Sequence, residues 1–330
     1  MLGNNEIKAV LEHYHIYPPE IVPRGKVFKI YDGIKYYALK KVEMAPAKLL
    51  FFLSSMDYLW DQGFHTMSRL IKSSQGEMYV EEAGSLFFLT EWVEGRYVNL
   101  AHPPELKKAV QLLADMHLKG EGFHPLPGCI QRNDIGQWEK KWQRRMKDLE
   151  KMAVLCKKET HTFDFIFRKT VQDALIQGSR ALQLLASLGY KDYCRELEKK
   201  KPLCHRDFVY HNMIYSGAEI FLIDFEYCVQ DSRVIDLARF IRTGWLRHPW
   251  EVGRSLEIVD LYNRYYPLSS IEYRLLEAVL MFPHDVWRCG HRWYFSGQRK
   301  NSILKGLRQE YDYHNRKWEV LKKLNWRIPR

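Results

Sequence analysis

The tightest constraint on the fold is a change of texture at Glu94-Gly95. Before it, short runs rich in β-branched and aromatic residues alternate with turn dipeptides. After it, long amphipathic patterns take over. In KVFKIYDGIKYYALKKV (26–42) two such runs flank Asp32-Gly33, a dipeptide suited to the positive φ of a tight hairpin. Pro46 then opens a helical pattern with Leu49, Leu53, Met56 and Trp60 on one face, closed by Gly63. A second strand pair is expected at 77–81 and 86–93, turning at Ala83-Gly84. Strand, strand, helix, strand, strand reads as a small α+β lobe, residues 1–94.

Beyond Gly95, segments 104–118, 138–159, 163–188 and 192–200 read as helices, broken by a Gly- and Pro-rich loop at 120–128. One hairpin interrupts them, 212–215 and 219–225 around Ser216-Gly217. Helices then resume to the end, with breaks near Pro249, Pro267 and Pro283. Residues 95–330 are expected to form the larger, mostly helical domain. A chain of 330 residues, about twice a usual domain, fits two lobes.

Several function classes lose support on composition. The longest apolar runs, 49–53 and 86–89, are core-sized, so no membrane span is expected. MLGNNEIKAVLEHYH lacks a basic segment followed by an apolar one; synthesis in the cytoplasm without a cleaved signal is expected. Six scattered Cys and thirteen dispersed His show no zinc-ligand spacing, which points to reduced, packed thiols. The net charge of +11 is concentrated: from Arg288 to Arg330 there are twelve Lys/Arg against three Asp/Glu, hence +9. Such a tail suits either a polyanion or a solvated helical face whose basic stems cover aromatic packing. The second reading is preferred, so nucleic acid is not an expected partner.

The chemistry lies in CHRDFVYHNMIY (204–215) and FLIDFEY (221–227). Asp207 follows His205 by two residues, a strand begins at Asn212, and Asp224 ends the next strand. Phosphoryl transfer from a nucleotide needs hard oxygen ligands for Mg²⁺, and Asn212 with Asp224 would supply an amide oxygen and a carboxylate. It also needs a carboxylate to accept or orient the proton of the attacking hydroxyl, the role expected of Asp207. His205 is expected to hold the loop backbone and fix Asp207. The alternative is that Asp207 and Asn212 cap a loop while Asp224 closes a hairpin.

These segments resemble the catalytic and metal-binding loops of the protein-kinase-like superfamily, in its aminoglycoside and choline phosphotransferase branch. HRDFVYHN matches the catalytic loop, DFE stands where protein kinases have DFG, and VIDLARF (234–240) matches the next element. There the resemblance makes Asp236 a buried carboxylate supporting the loop. LTEWVEGR (89–96), LADMHLKG (113–120) and MFPHDVWR (281–288) resemble CotS-type spore coat proteins of endospore-forming bacteria. The resemblance implies an α+β, bilobal kinase-like fold, with a small β-rich N-terminal lobe for ATP and a large helical lobe for a hydroxyl-bearing substrate. It also implies a spore coat location, with other coat proteins as partners.

YALKK (37–41) resembles the strand that carries the phosphate-binding lysine of kinases. Strand parity puts Ala38 and Lys40 on one face, so Ala38 is expected against adenine and Lys40 at the α/β-phosphates. Asp57, on the helix after Pro46, is the expected acidic partner of Lys40. Residues 91–94, beginning with Glu91, would form the hinge that pairs with the base. Where a Gly-rich phosphate loop belongs, IVPRGKVFKIY offers only Gly25; Arg24 and Lys26 would substitute charge for backbone contacts. A chain that had lost this grip would be an inactive, structural coat component. Trp245, His284, Asp285, Trp287 and Arg288 are candidates for the acceptor pocket, or else core.

Overall fold

The computed structural model describes the backbone of residues 4–158, 160–247 and 252–325, and the side chains of 6–158, 160–242 and 252–324. The Trp245 side chain, the break near Pro249, and Arg327 and Arg330 of the basic tail lie outside the described residues. The chain divides into two compact units, one of Met1–Asn133 with Lys201–Gln230, the other of Asp134–Lys200 with Asp231–Arg330.

The first unit is built on an antiparallel sheet of β1 (Glu20–Arg24), β2 (Val27–Tyr31), β3 (Tyr36–Val42), β4 (Leu70–Ile71), β5 (Val80–Glu82) and β6 (Ser85–Glu91). Its order is β1-β2-β3-β6, with β4 and β5 sharing the far edge of β6. The β2–β3 turn forms because Asp32 Oδ1 accepts the N–H groups of Ile34 and Lys35, both at 2.8 Å, while Gly33 takes a φ of 101°. Helices α1 (Asn4–Glu12), α2 (Pro46–Asp61) and α3 (Pro103–Lys119) complete this part. The chain then returns as β8 (Leu203–Cys204), β9 (Met213–Ser216), β10 (Glu219–Leu222) and β11 (Val229–Gln230), and β9 also pairs with the short β7 (Arg96–Tyr97).

Period-two alternation decides which side chains see which helix. Tyr37 and Leu39 of β3, with Phe87 and Leu89 of β6, share a buried cluster with Ile7, Val10 and Leu11 of α1. On the other face Phe88 meets Phe52 of α2 edge-on, ring centroids 5.3 Å apart. Burying one such side chain is worth roughly 1.5–3 kcal/mol, so the sheet is clamped from both sides. Ala38 and Lys40 are left on the α2 face of the strand. The expected helix after Pro46 is present with that proline in its first turn. Helix α1 and strand β1 are additional elements within residues 1–94 that the sequence pattern did not announce. Pro23 sits inside β1, and it is tolerated because β1 pairs on one side only.

The second unit is helical: α4 (Trp138–Leu155), α5 (Thr162–Ser187), α6 (Tyr190–Lys200), α7 (Val234–Arg247), α8 (Val252–Tyr265), α9 (Ser270–Met281), α10 (His284–Gly290), α11 (Asn301–Asp312) and α12 (His314–Asn325). Apolar α9 is the hub, with α5, α7 and α12 packed around it. Gly178 lets α5 approach Met146 of α4, where any Cβ would collide with the Met146 sulfur. Ser269 and Glu272 form a capping box at the start of α9, and Glu272 also receives Arg233 at 2.7 and 2.8 Å. In the basic tail, Trp293, Ile303, Leu307, Val320, Leu321 and Leu324 are buried, while Arg299 lies over the Trp293 ring and Arg316 over Tyr313. The chain is thus mixed α+β, a small antiparallel sheet region followed by a large helical part.

Candidate functional site

The residues of the candidate site all belong to the first unit. Three pieces of backbone present them: β3, the approach to β9, and the turn after β10. Lys40 lies on β3, and opposite it in register stands Phe88 of β6, with Ala38 opposite Thr90. Asn212 closes a short 3₁₀ turn (Tyr210–Asn212) just before β9, and its carbonyl accepts the N–H of Ile223 at 3.0 Å. That bond carries the β9–β10 pairing one residue further and brings Asn212 beside Asp224.

Asp224 itself adopts a left-handed backbone, φ 69° and ψ 62°. A non-glycine residue in this region costs on the order of 1 kcal/mol or more. The strain turns the chain into the 3₁₀ turn Phe225–Tyr227, and it orients the carboxylate. Asp224 Oδ1 and Glu226 Oε1 each accept from the Lys40 ammonium at 2.7 Å. Burial alone would push Lys40 toward the neutral amine; the two carboxylates outweigh it and hold the pKa above the ordinary lysine value.

Around this contact a cleft of about 1470 Å³ is lined by Lys40, Asn212, Asp224 and Glu226, by Ala38, Thr90 and residues 91–94, and by Arg24, Gly25 and Lys26 of the β1–β2 turn. Asp207 borders it through Asn212, whose Nδ2 donates to the Asp207 carbonyl at 2.9 Å and to its Oδ2 at 3.0 Å. The Asn212 amide oxygen and Asp224 Oδ2 make no hydrogen bond among the described residues. His205 is fully buried. Its Nε2 lies 3.1 Å from the Ile223 carbonyl, and its Nδ1 accepts the Asp207 N–H at 3.3 Å. One neutral tautomer satisfies both bonds, so His205 ties the Asp207 loop to the segment leading into Asp224.

The amide oxygen of Asn212 and the carboxylates of Asp224 and Glu226 are a hard-oxygen set that fits Mg²⁺ better than a softer metal. Two expectations change. Asp57 is not the partner of Lys40: it pairs at 2.8 Å with Lys72, which follows β4, and does not line the cleft. At the hinge, the Glu91 and Trp92 N–H groups are taken by the Arg69 and Tyr36 carbonyls, both bonds near 3.0 Å. Neither of these two N–H groups is therefore free to donate to a ligand in the cleft.

Sequence reasoning missed Glu226, although its place two residues after Asp224 in DFE was the available signal. It also missed Arg132, whose guanidinium donates to the carbonyls of Glu226 and Tyr227. Nothing in its loop pattern announces that contact. In the second unit, Asp236 is buried in the first turn of α7. Asp285, Trp287 and Arg288 stand on α10, with the Trp287 Nε1 donating to Asp148 at 3.0 Å.

Residues 7–324 match the family model described as "Spore coat putative kinase YutH". Spore coat protein S of Bacillus subtilis is 21% identical over 263 residues, 79% of this chain and 75% of that protein. Among solved structures, an aminoglycoside phosphotransferase from Alicyclobacillus acidocaldarius superposes with a TM-score of 0.84 at 22% identity, covering 97% of this chain and 96% of that one. A spectinomycin phosphotransferase solved with ADP and spectinomycin gives 0.69 at 15% identity, over 98% and 99% of the two chains. Likenesses this distant in sequence share the kinase-like fold.

Proposed function

Because this chain belongs to the YutH family of kinase-like spore coat proteins, we propose that it is a coat-associated phosphotransferase that uses Mg-ATP to phosphorylate a hydroxyl. The observation that carries the reading is the meeting of Lys40 with Asp224 and Glu226 beside the Asn212–Asp207 pair. A coat scaffold has no use for a lysine, a strained aspartate and an oriented amide in one cleft.

In this reading adenine lies between Ala38 and the hinge, and Lys40 turns from the carboxylates to the α/β-phosphates. Asn212 Oδ1 and Asp224 are the residues that would hold Mg²⁺, which supplies charge neutralisation at the transferring phosphate. The acceptor oxygen bonds to the γ-phosphorus as the bond to the β–γ bridging oxygen breaks, and ADP leaves. Asp207 takes or orients the hydroxyl proton, held in place by the Asn212 amide and by His205 behind it. Arg24 and Lys26 would supply charge to the phosphates from a turn that has a single glycine. No helix among the described residues is long and apolar enough to cross a membrane.

That single-glycine turn favours a second reading, an inactive coat component that keeps the fold. The two readings part on nucleotide binding. A ligand that binds only the folded state raises its stability by mass action, about 2.7 kcal/mol at one hundred times Kd. The active reading expects Mg-ATP to raise Tm in a saturable way that EDTA abolishes. A folded chain whose Tm ignores Mg-ATP up to millimolar concentrations would leave the structural reading standing.

A further inference from the structure

A left-handed backbone at a residue other than glycine persists only where the chain is held on both sides of it. Before Asp224, Ile223 is fixed twice. Its N–H donates to the Asn212 carbonyl at 3.0 Å, and its own carbonyl lies 3.1 Å from His205 Nε2. After Asp224, the 3₁₀ turn Phe225–Tyr227 is closed by the Cys228 N–H, which donates to the Phe225 carbonyl at 2.9 Å. That bond shapes the turn without fixing where it points. The carbonyls of Glu226 and Tyr227 are not used by it. Both accept from the Arg132 guanidinium, that of Tyr227 at 3.4 Å.

Arg132 can hold the turn because its own backbone is anchored at both ends. Two residues earlier, the Ile130 N–H donates to the Ala47 carbonyl, in the first turn of α2, at 3.0 Å. The Arg132 carbonyl accepts the Gln230 N–H at 2.8 Å, and Asn133 forms a parallel bridge with Gln230. The buried Gln230 side chain donates in turn to the Phe123 carbonyl at 2.9 Å. Segment 130–133 therefore runs from the start of α2 to β11, with its guanidinium bonded to the turn that follows Asp224. Arg132 does not line the cleft, so its influence on a ligand there passes through the turn.

We propose that Arg132 is a positioning residue for the metal site: by holding the Phe225–Tyr227 turn it keeps the Asp224 and Glu226 carboxylates where they can grip a magnesium nucleotide. The inference rests on the reading of the cleft as such a site. A guanidinium suits the task, since its fork serves two carbonyls at once, whereas an ammonium presents a single point charge. Without it both carbonyls lose their donor. The turn can then unwind, and Asp224 relaxes to an ordinary backbone that carries its carboxylate away from Lys40 and Asn212. The binding-competent population falls, and the apparent affinity falls by the same factor.

Two measurements on the full chain test this in the parent, Arg132→Ala and Arg132→Lys. Hydrogen exchange reads the turn with no nucleotide present. The Cys228 amide should exchange about tenfold faster in Arg132→Ala, while the amides of β3 keep the parent's rates. Calorimetric titration reads the site: Mg-ATP should bind Arg132→Ala about tenfold more weakly than the parent, with Arg132→Lys between them. The ratio of the two affinities should be the same at low and high salt, because a guanidinium bonded to carbonyls is not screened as one that meets phosphate is. A brace with a purely structural role would lower Tm and leave the affinity of the folded protein alone. Unchanged exchange at Cys228, equal affinities in parent and Arg132→Ala, or a penalty that salt erases would overturn the proposal. A parent that binds no Mg-ATP would instead overturn the reading of the cleft, and exchange at Cys228 would still decide whether Arg132 holds the turn.

Discussion

The ammonium of Lys40 lies 2.7 Å from Oδ1 of Asp224, a residue 184 positions later in the chain. Two runs of sequence with no local relationship thus meet in one contact, and Glu226 joins it at the same distance. Since each carboxylate is about a third exposed or less, Lys40 is the main charge holding them side by side.

Lys40→Met should therefore destabilise the metal-free protein by about 1–2 kcal/mol, the scale for breaking a half-buried ion pair. Mg²⁺ should restore more stability in this variant than in the parent, since the two carboxylates have then lost the lysine they share. Thermal unfolding with and without Mg²⁺ measures both effects. Equal Mg²⁺ responses in the two proteins would count against a shared carboxylate site.

Asp207→Asn should leave nucleotide binding nearly intact while removing transfer. Its side chain receives the Asn212 amide but does not itself line the cleft. Asn212→Ala should do both kinds of damage, removing the amide oxygen proposed to hold Mg²⁺ and the bond that orients Asp207. Paired binding and turnover measurements distinguish the two variants, and a large loss of Mg-ATP affinity in Asp207→Asn would reassign that residue.

Glycine substitutions should rank by space rather than by position in the motif. Gly95 has a φ of 151°, and a Cβ there would collide with the Tyr215 carbonyl and sit 2.9 Å from the Ile214 side chain. Gly95→Ala should cost more than about 3 kcal/mol, since β7 must leave β9 to relieve the clash. Gly25, with a φ of 65° and nothing near its Cβ, should cost only about 1 kcal/mol on substitution by Ala. Denaturant unfolding of the pair checks the order.

Acid should act through Glu105. The Arg96 guanidinium, bonded at 2.7 and 2.9 Å, with the Asn99 N–H, holds the Glu105 carboxyl down at about 2. A depressed folded-state pKa means stability that is complete above the ordinary glutamate value, 4.5, and is lost as pH falls from there toward 2. Glu105→Gln should remove about 1 kcal/mol at neutral pH, kept modest by the exposed Arg96, and should flatten the pH dependence between those limits. Unfolding curves at pH 7, 4 and 3 test it, and an unchanged slope in the variant would contradict the assignment.

Much of this was legible in the residues, for reasons that differ by element. The long helices announce themselves through apolar periodicity: residues 163–188 were expected and Thr162–Ser187 is found. The approach of Asn212 to the Asp224 segment was legible because a hairpin with a Ser216-Gly217 turn fixes its own register, which sets Asn212 opposite Ile223. Strand parity likewise separated Lys40 from Lys41. What could not be read were contacts set by tertiary approach. Asp57 is on the expected helix, but Lys72 lies nearer, and sequence carries no measure of that distance. Strand β1 was hidden by Pro23, and β7 by its two-residue length.

We propose Lys40, Asn212 and Asp224 as the walls of a site for a magnesium nucleotide. Calorimetric titration of Mg-ATP into the parent and into Asp224→Ala decides whether they are. The account predicts binding to the parent that is weaker than micromolar, falls with rising salt because Arg24 and Lys26 carry much of it, and disappears with EDTA. Asp224→Ala, still folded, should bind no Mg-ATP. Equal affinity in both proteins, or none in a folded parent at low salt, would contradict it.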